Sequence, residues 1–80
     1  MREIKENTRM RHFKGKEYTF LYKGWHTETG EAYAIYRAEY DDFKVYIRPY
    51  DMFVSEVDRE KYPNVEQKYR FEEIVWIKRK

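Results

Sequence analysis

With 80 residues, no cysteine and a formal net charge of only +2, the chain is sized for one small domain. These numbers exclude a disulfide framework, a thiolate metal site and a heavily basic nucleic-acid coat. Charged residues make up 40% and aromatics 20%, including nine tyrosines. Disordered chains lack the aromatics that offset chain entropy, so a packed domain with a thin, ring-rich core is expected.

Charge is uneven along the chain. Residues 1–16 carry six basic and two acidic side chains, residues 28–60 nine acidic and four basic, and residues 61–80 six basic and three acidic. Basic ends around an acidic centre fit either self-complementary packing or a polyanion-binding face made by the termini. Met1–Arg9 lacks the apolar core of a signal peptide, and no stretch reaches the roughly 20 apolar residues of a membrane span. A cytoplasmic protein without membrane contact is expected.

Residues 1–10 have no clear period and read as a mobile N-terminal arm; residues 11–80 read as a single small β domain. Lys14-Gly15-Lys16 looks like a turn. Tyr18, Phe20 and Tyr22 then alternate with Glu17, Thr19, Leu21 and Lys23, the period of a half-buried strand. Gly24 marks a bulge or bend, and Thr29-Gly30-Glu31 a hairpin turn. On the return strand, residues 32–40, Ala32, Ala34, Tyr36, Ala38 and Tyr40 share one face, and Tyr33, Ile35, Arg37 and Glu39 the other. Because neither face is purely polar, a closed or rolled sheet is expected.

Asp41-Asp42 reads as a two-residue hairpin turn. That turn pairs Ala38 with Val45, Arg37 with Tyr46 and Tyr36 with Ile47. Phe43, Val45 and Ile47 then face the core, while Arg37, Glu39, Lys44, Tyr46 and Arg48 share the opposite surface. Pro49 ends the ladder. Tyr50–Phe53 is expected to form one helical turn that drops Met52 and Phe53 into the core, and residues 54–57 a further short strand. Residues 58–64 are a polar loop, and residues 69–77 lean to a strand. Trp25 and Trp76 are expected core anchors. Four or five antiparallel strands with one short helical turn is the pattern of a small SH3-like β-barrel or roll.

Four segments carry a resemblance: Arg11-His12-Phe13-Lys14-Gly15-Lys16-Glu17-Tyr18, His26-Thr27-Glu28-Thr29-Gly30-Glu31, Tyr36-Arg37-Ala38-Glu39-Tyr40 and Ile47-Arg48-Pro49-Tyr50-Asp51-Met52-Phe53. Over about residues 11–74 the chain resembles the small bacterial family catalogued as domain of unknown function 1653. The resemblance implies a compact, mostly-β module, often a whole protein, and supplies no activity or substrate. The family's pattern usually has a glycine in the turn where this chain has Asp41-Asp42.

Three groups of residues are candidates for chemistry. Arg37, Tyr46 and Arg48 place two guanidiniums beside an aromatic ring, a set that holds a phosphate or carboxylate and stacks a base. Read blandly, the same surface is a Glu39–Lys44 cross-strand ion pair with Arg37 lying over Tyr46. Arg9, Arg11, His12, Lys14 and Lys16 interleave with Phe13 and suit a nucleic-acid backbone, with Lys78, Arg79 and Lys80 available to join them; a lysine-rich turn is more often simply solvated. His26 and Glu28, two apart in extended chain, bring an imidazole near a carboxylate, but no nucleophile or second acid accompanies them. Neither His12 nor His26 has metal-ligand spacing, so no metal or cofactor is expected.

The sequence therefore favours a non-enzymatic binding module for RNA or single-stranded DNA. The alternatives are a protein- or peptide-interaction module and, at the lowest weight, a small hydrolase. A monomer or a homodimer formed through an edge strand fits a sheet this small.

Overall fold

The computed structural model describes residues 2–74. Five antiparallel strands form one sheet: β1 (Thr8–His12), β2 (Glu17–Trp25), β3 (Ala32–Ala38), β4 (Val45–Pro49) and β5 (Phe71–Glu73), in the order β4-β3-β2-β1-β5. A four-residue helix, α1 (Tyr50–Phe53), follows β4 directly. The mostly-β expectation holds, but the barrel does not: among the described residues β4 and β5 are free edges and the sheet is open. The inner face is closed instead by chain, namely α1, the buried Val54 behind it, and Ile4 from the N-terminal segment.

The β2–β3 hairpin forms where the sequence places it. Gly30 has φ 75° and its amide donates to the His26 carbonyl at 2.8 Å, a left-handed position that glycine occupies without a Cβ penalty. Register slips between Phe20 and Tyr22, so the bulge lies around Leu21 rather than at Gly24. Gly24 has a different reason to be small, since a Cβ there would come within 3.0 Å of the Ile35 side chain.

The β3–β4 register is shifted by one residue from expectation. Tyr36 pairs with Tyr46, Ala34 with Arg48 and Arg37 with Val45. The chain does not turn tightly at Asp41-Asp42. The Ala38 amide donates to the Lys44 carbonyl at 2.9 Å, leaving a five-residue loop, and within it the Phe43 amide donates to the Tyr40 carbonyl. Asp41 and Phe43 both adopt positive φ, 53° and 56°. An odd-length loop where an even one was expected reverses every side chain of β4, because strand side chains alternate with period two. Val45 and Ile47 therefore face outward, 53% and 67% exposed, while Tyr46 and Arg48 take the inner side.

Inside, Phe53 is fully buried and stacks on Phe71 with centroids 4.2 Å apart, and Tyr36 and Phe20 lie 4.9 and 5.6 Å from the Phe53 ring. Burial of one such ring contributes about 1.5–3 kcal/mol, so this cluster is the main store of stability. The helical turn is as expected, but Tyr50, not Met52, accompanies Phe53 inward. The Tyr50 hydroxyl accepts a hydrogen bond from the Ile4 amide (3.1 Å) and donates to the Arg2 carbonyl (2.9 Å), tying down the first residues.

Residues 8–10, expected in an arm, form most of β1, and Met10 is fully buried. Residues 54–57 make a single bridge, Glu56 to Tyr69, rather than a strand. Trp25 is not a core anchor; it is 63% exposed. Of the strand expected over 69–77 only Phe71–Glu73 form one, β5, with Tyr69 in an isolated bridge, and the readings of Val75 to Ile77, Trp76 and Lys78 to Lys80 lie outside the described residues.

Candidate anion-binding cavity

The register shift divides the residues that the sequence grouped. Arg37 stays on the outer face, where its guanidinium pairs with Glu39 at 2.9 Å; Glu39 also accepts the Thr19 hydroxyl at 2.6 Å. The Thr19 hydrogen bond, reinforced by Arg37, lowers the Glu39 pKa against the opposing effect of burial. The expected Glu39–Lys44 pair is thus replaced by Glu39–Arg37, and Lys44 lies 3.8 Å from Asp42. Arg11 is also on the outer face, sharing Glu17 with Arg9 at 3.4 and 2.9 Å. Arg37 and Arg11 therefore stand apart from Tyr46 and Arg48.

On the inner side, Arg48 reaches a cavity of about 230 Å³ that it shares with His12, Phe13 and Lys14. The opposite wall comes from the loop after α1, through Asp58, Lys61 and Tyr62, and from Arg70 before β5. Arg48 from one candidate group thus meets His12, Phe13 and Lys14 from another, although the two groups lie far apart in sequence. The β1–β2 turn delivers Lys14: the Gly15 amide donates to the His12 carbonyl at 2.8 Å, and the Lys14 amide to His12 Nδ1 at 3.1 Å. The Phe13 amide donates to the Arg70 carbonyl at 2.9 Å, which fixes the two walls together. Their rings meet edge to face, Phe13 and Tyr62 having centroids 4.9 Å apart, and Lys14 Nζ sits 5.5 Å from the Tyr62 centroid.

Electrostatics in the cavity are those of a site short of negative charge. Burial, followed by the positive charges of Arg48, Lys14 and Arg70, pushes the His12 pKa from 6.5 down to about 4. His12 is therefore neutral at pH 7. With Nδ1 accepting the Lys14 amide, its proton resides on Nε2, which is a donor. Arg70 Nε is buried with no hydrogen-bond partner among the described residues. Lys61, Tyr62 and Arg70 were not singled out by sequence; each is a lone polar or aromatic residue in an irregular segment, and only the fold brings them to His12.

His26 and Glu28 are close, 3.7 Å apart, but in a turn rather than in extended chain. His26 Nδ1 accepts the amides of Glu28 and Thr29 at 3.2 and 3.3 Å, so the imidazole caps the hairpin and Glu28 points to solvent. Among the described residues no three histidine or acidic side chains gather as a metal site, and no helix is long and apolar enough to cross a membrane.

The fold and cavity define a small open antiparallel sheet, packed on one face by aromatic rings, with a cationic recess at the rim of that packing. Residues 8–73 match the family described as Protein of unknown function (DUF1653), and the chain belongs to that family. No curated protein and no solved structure matches the chain.

Proposed function

We propose that this chain is a non-enzymatic binding module for single-stranded nucleic acid, engaged through the cavity between the β1–β2 turn and residues 58–62. The observation that carries this reading is the placement of Lys14, Arg48, Lys61 and Arg70 around one recess whose wall includes the Phe13 and Tyr62 rings. Guanidiniums and ammoniums take phosphate oxygens, and aromatic rings offer faces for bases without demanding a sequence. The test is fluorescence polarisation with mixed RNA and DNA pools. Affinity is expected to fall steeply from low to moderate salt and to weaken in Arg48→Ala; no binding at low salt overturns the reading.

A second reading, capture of a protein or peptide, draws support from the outer face. Trp25, His26, Tyr33, Ile35 and Ile47 border an apolar groove of about 260 Å³ next to the unpaired edge of β4. An extended peptide added to that edge would place alternate side chains in the groove. Binding of this kind survives added salt and is lost in Ile47→Ser, whereas Arg48→Ala leaves it unchanged. An affinity capture that retains nothing beyond background counts against it.

A further inference from the structure

We infer that the cavity takes the terminal phosphate of a strand, a phosphomonoester, rather than a phosphodiester within the strand. This inference rests on the nucleic-acid reading above and narrows it.

The first ground is how the cations are distributed. Proteins that follow a strand carry a basic groove along its backbone. Here Arg9 and Arg11 are engaged by Glu17, Arg37 by Glu39, Lys23 by Glu3 and Lys44 by Asp42, while Arg59 donates to backbone carbonyls and Arg2, Lys16 and Lys68 lie over tyrosine rings. Among the described residues Lys14, Arg48, Lys61 and Arg70 make no ion pair, yet all four line one recess. They come from four separate segments and form a point rather than a track. An internal diester brings one charge to such a point. A terminal phosphate brings close to two, with three strong acceptor oxygens, and so matches the convergence better.

Size is the second ground. Pockets that enclose a small molecule run to about 300–1,000 Å³. At about 230 Å³ the recess is too small to swallow a nucleoside together with its phosphate, and roomy for the phosphate alone. The attached sugar and base then lie at the mouth, where Phe13 and Tyr62 present their rings. Asp58, the acidic residue of the wall, has one carboxylate oxygen taken by the Glu60 amide at 3.0 Å and keeps acceptor capacity for a sugar hydroxyl.

Donor supply is the third. A neutral His12 with its proton on Nε2 adds an uncharged donor to the four cations. An oxygen-rich anion accepts from charged and uncharged donors of this kind at once.

The experiment compares oligothymidylates of one length that end in a 5′-phosphate, a 5′-hydroxyl, a 3′-phosphate or a 3′-hydroxyl, each with the fluorophore at the other end. One phosphorylated oligomer is expected to bind about tenfold or more tightly than its hydroxyl counterpart, the equivalent of one charge-assisted hydrogen bond. Which oligomer gains identifies the end that is read. The advantage should vanish in Arg48→Ala and in Lys61→Ala, the latter a substitution in an exposed loop whose folding circular dichroism verifies. Equal affinities of phosphorylated and hydroxyl oligomers overturn the inference while leaving the nucleic-acid reading standing; absence of binding to all four overturns both. As a measurement that needs no substitution, the His12 imidazole resonances of the intact chain should move, and its pKa rise from about 4, on saturation with the phosphorylated oligomer. Unmoved resonances overturn the inference.

Discussion

Tyr46 stands directly across from Tyr36 on the neighbouring strand, with ring centroids 5.9 Å apart. This pairing sets the side on which every β4 residue lies, and it sends Arg48 to the cavity and Ile47 to the surface.

The register is open to a stability test. Ile47→Thr removes an apolar group from an outward position and should change stability by no more than about 0.5 kcal/mol. Tyr36→Ala empties a buried ring position among Tyr18, Phe53 and Phe71 and should cost about 3–5 kcal/mol. Urea denaturation followed by circular dichroism measures both. Similar losses in the two variants would mean that Ile47 faces the core.

Phe43 occupies left-handed backbone at φ 56° and is largely exposed, a costly conformation for a bulky side chain. Phe43→Gly removes that cost and is expected to raise stability by up to about 1 kcal/mol, less what the partly covered ring contributes. A lowered melting temperature would contradict the loop geometry.

His12 gives the protein a pH dependence whose sign follows from its lowered pKa. The unfolded chain takes up a proton near pH 6.5, and the native state not until about pH 4. Stability is therefore full above 6.5, declines as pH falls between these values, and gains no further loss from this group below the lower one. Thermal melts across that window should show the decline, with a shallower slope in His12→Asn. A folded His12 that titrates near 6.5 by NMR would remove the effect.

At the hairpin tip, His26→Ala deletes the acceptor for two turn amides and should cost about 0.5–1.5 kcal/mol. Glu28→Gln, altering a solvent-facing carboxylate, should be nearly silent. Chemical denaturation separates the two; equal effects would point to a role for the pair that the turn geometry does not contain.

The elements legible in the sequence are those whose partners lie nearby. Ala34, Tyr36 and Ala38 advertise the buried face of β3 by alternation, Gly30 marks its hairpin, and Pro49 marks the passage into Tyr50–Phe53. Illegible features depend on parity or distance. One residue more or less between Ala38 and Lys44 inverts β4, and nothing in Glu39-Tyr40-Asp41-Asp42-Phe43 announces that Phe43 will turn left-handed. Met10 gives no periodic signal because β1 is short and has a single fully buried side chain. The cavity was half legible: Arg48 and Lys14 stand out as cations near aromatics, whereas Lys61, Tyr62 and Arg70 acquire meaning only after chain closure brings residues 58–70 back to His12.

The open sheet gives that closure a mechanical side. In the sheet, β4 and β1 are separated by β3 and β2, a span of about 14 Å if the sheet were flat. Arg48 on β4 and His12 on β1 nonetheless border the same recess, so the sheet must curl to bring them together. Among the described residues no ladder of backbone hydrogen bonds holds the two ends of that curl. An anion gripped from both sides would act as a clasp, and the curvature of the sheet would report whether the clasp is shut.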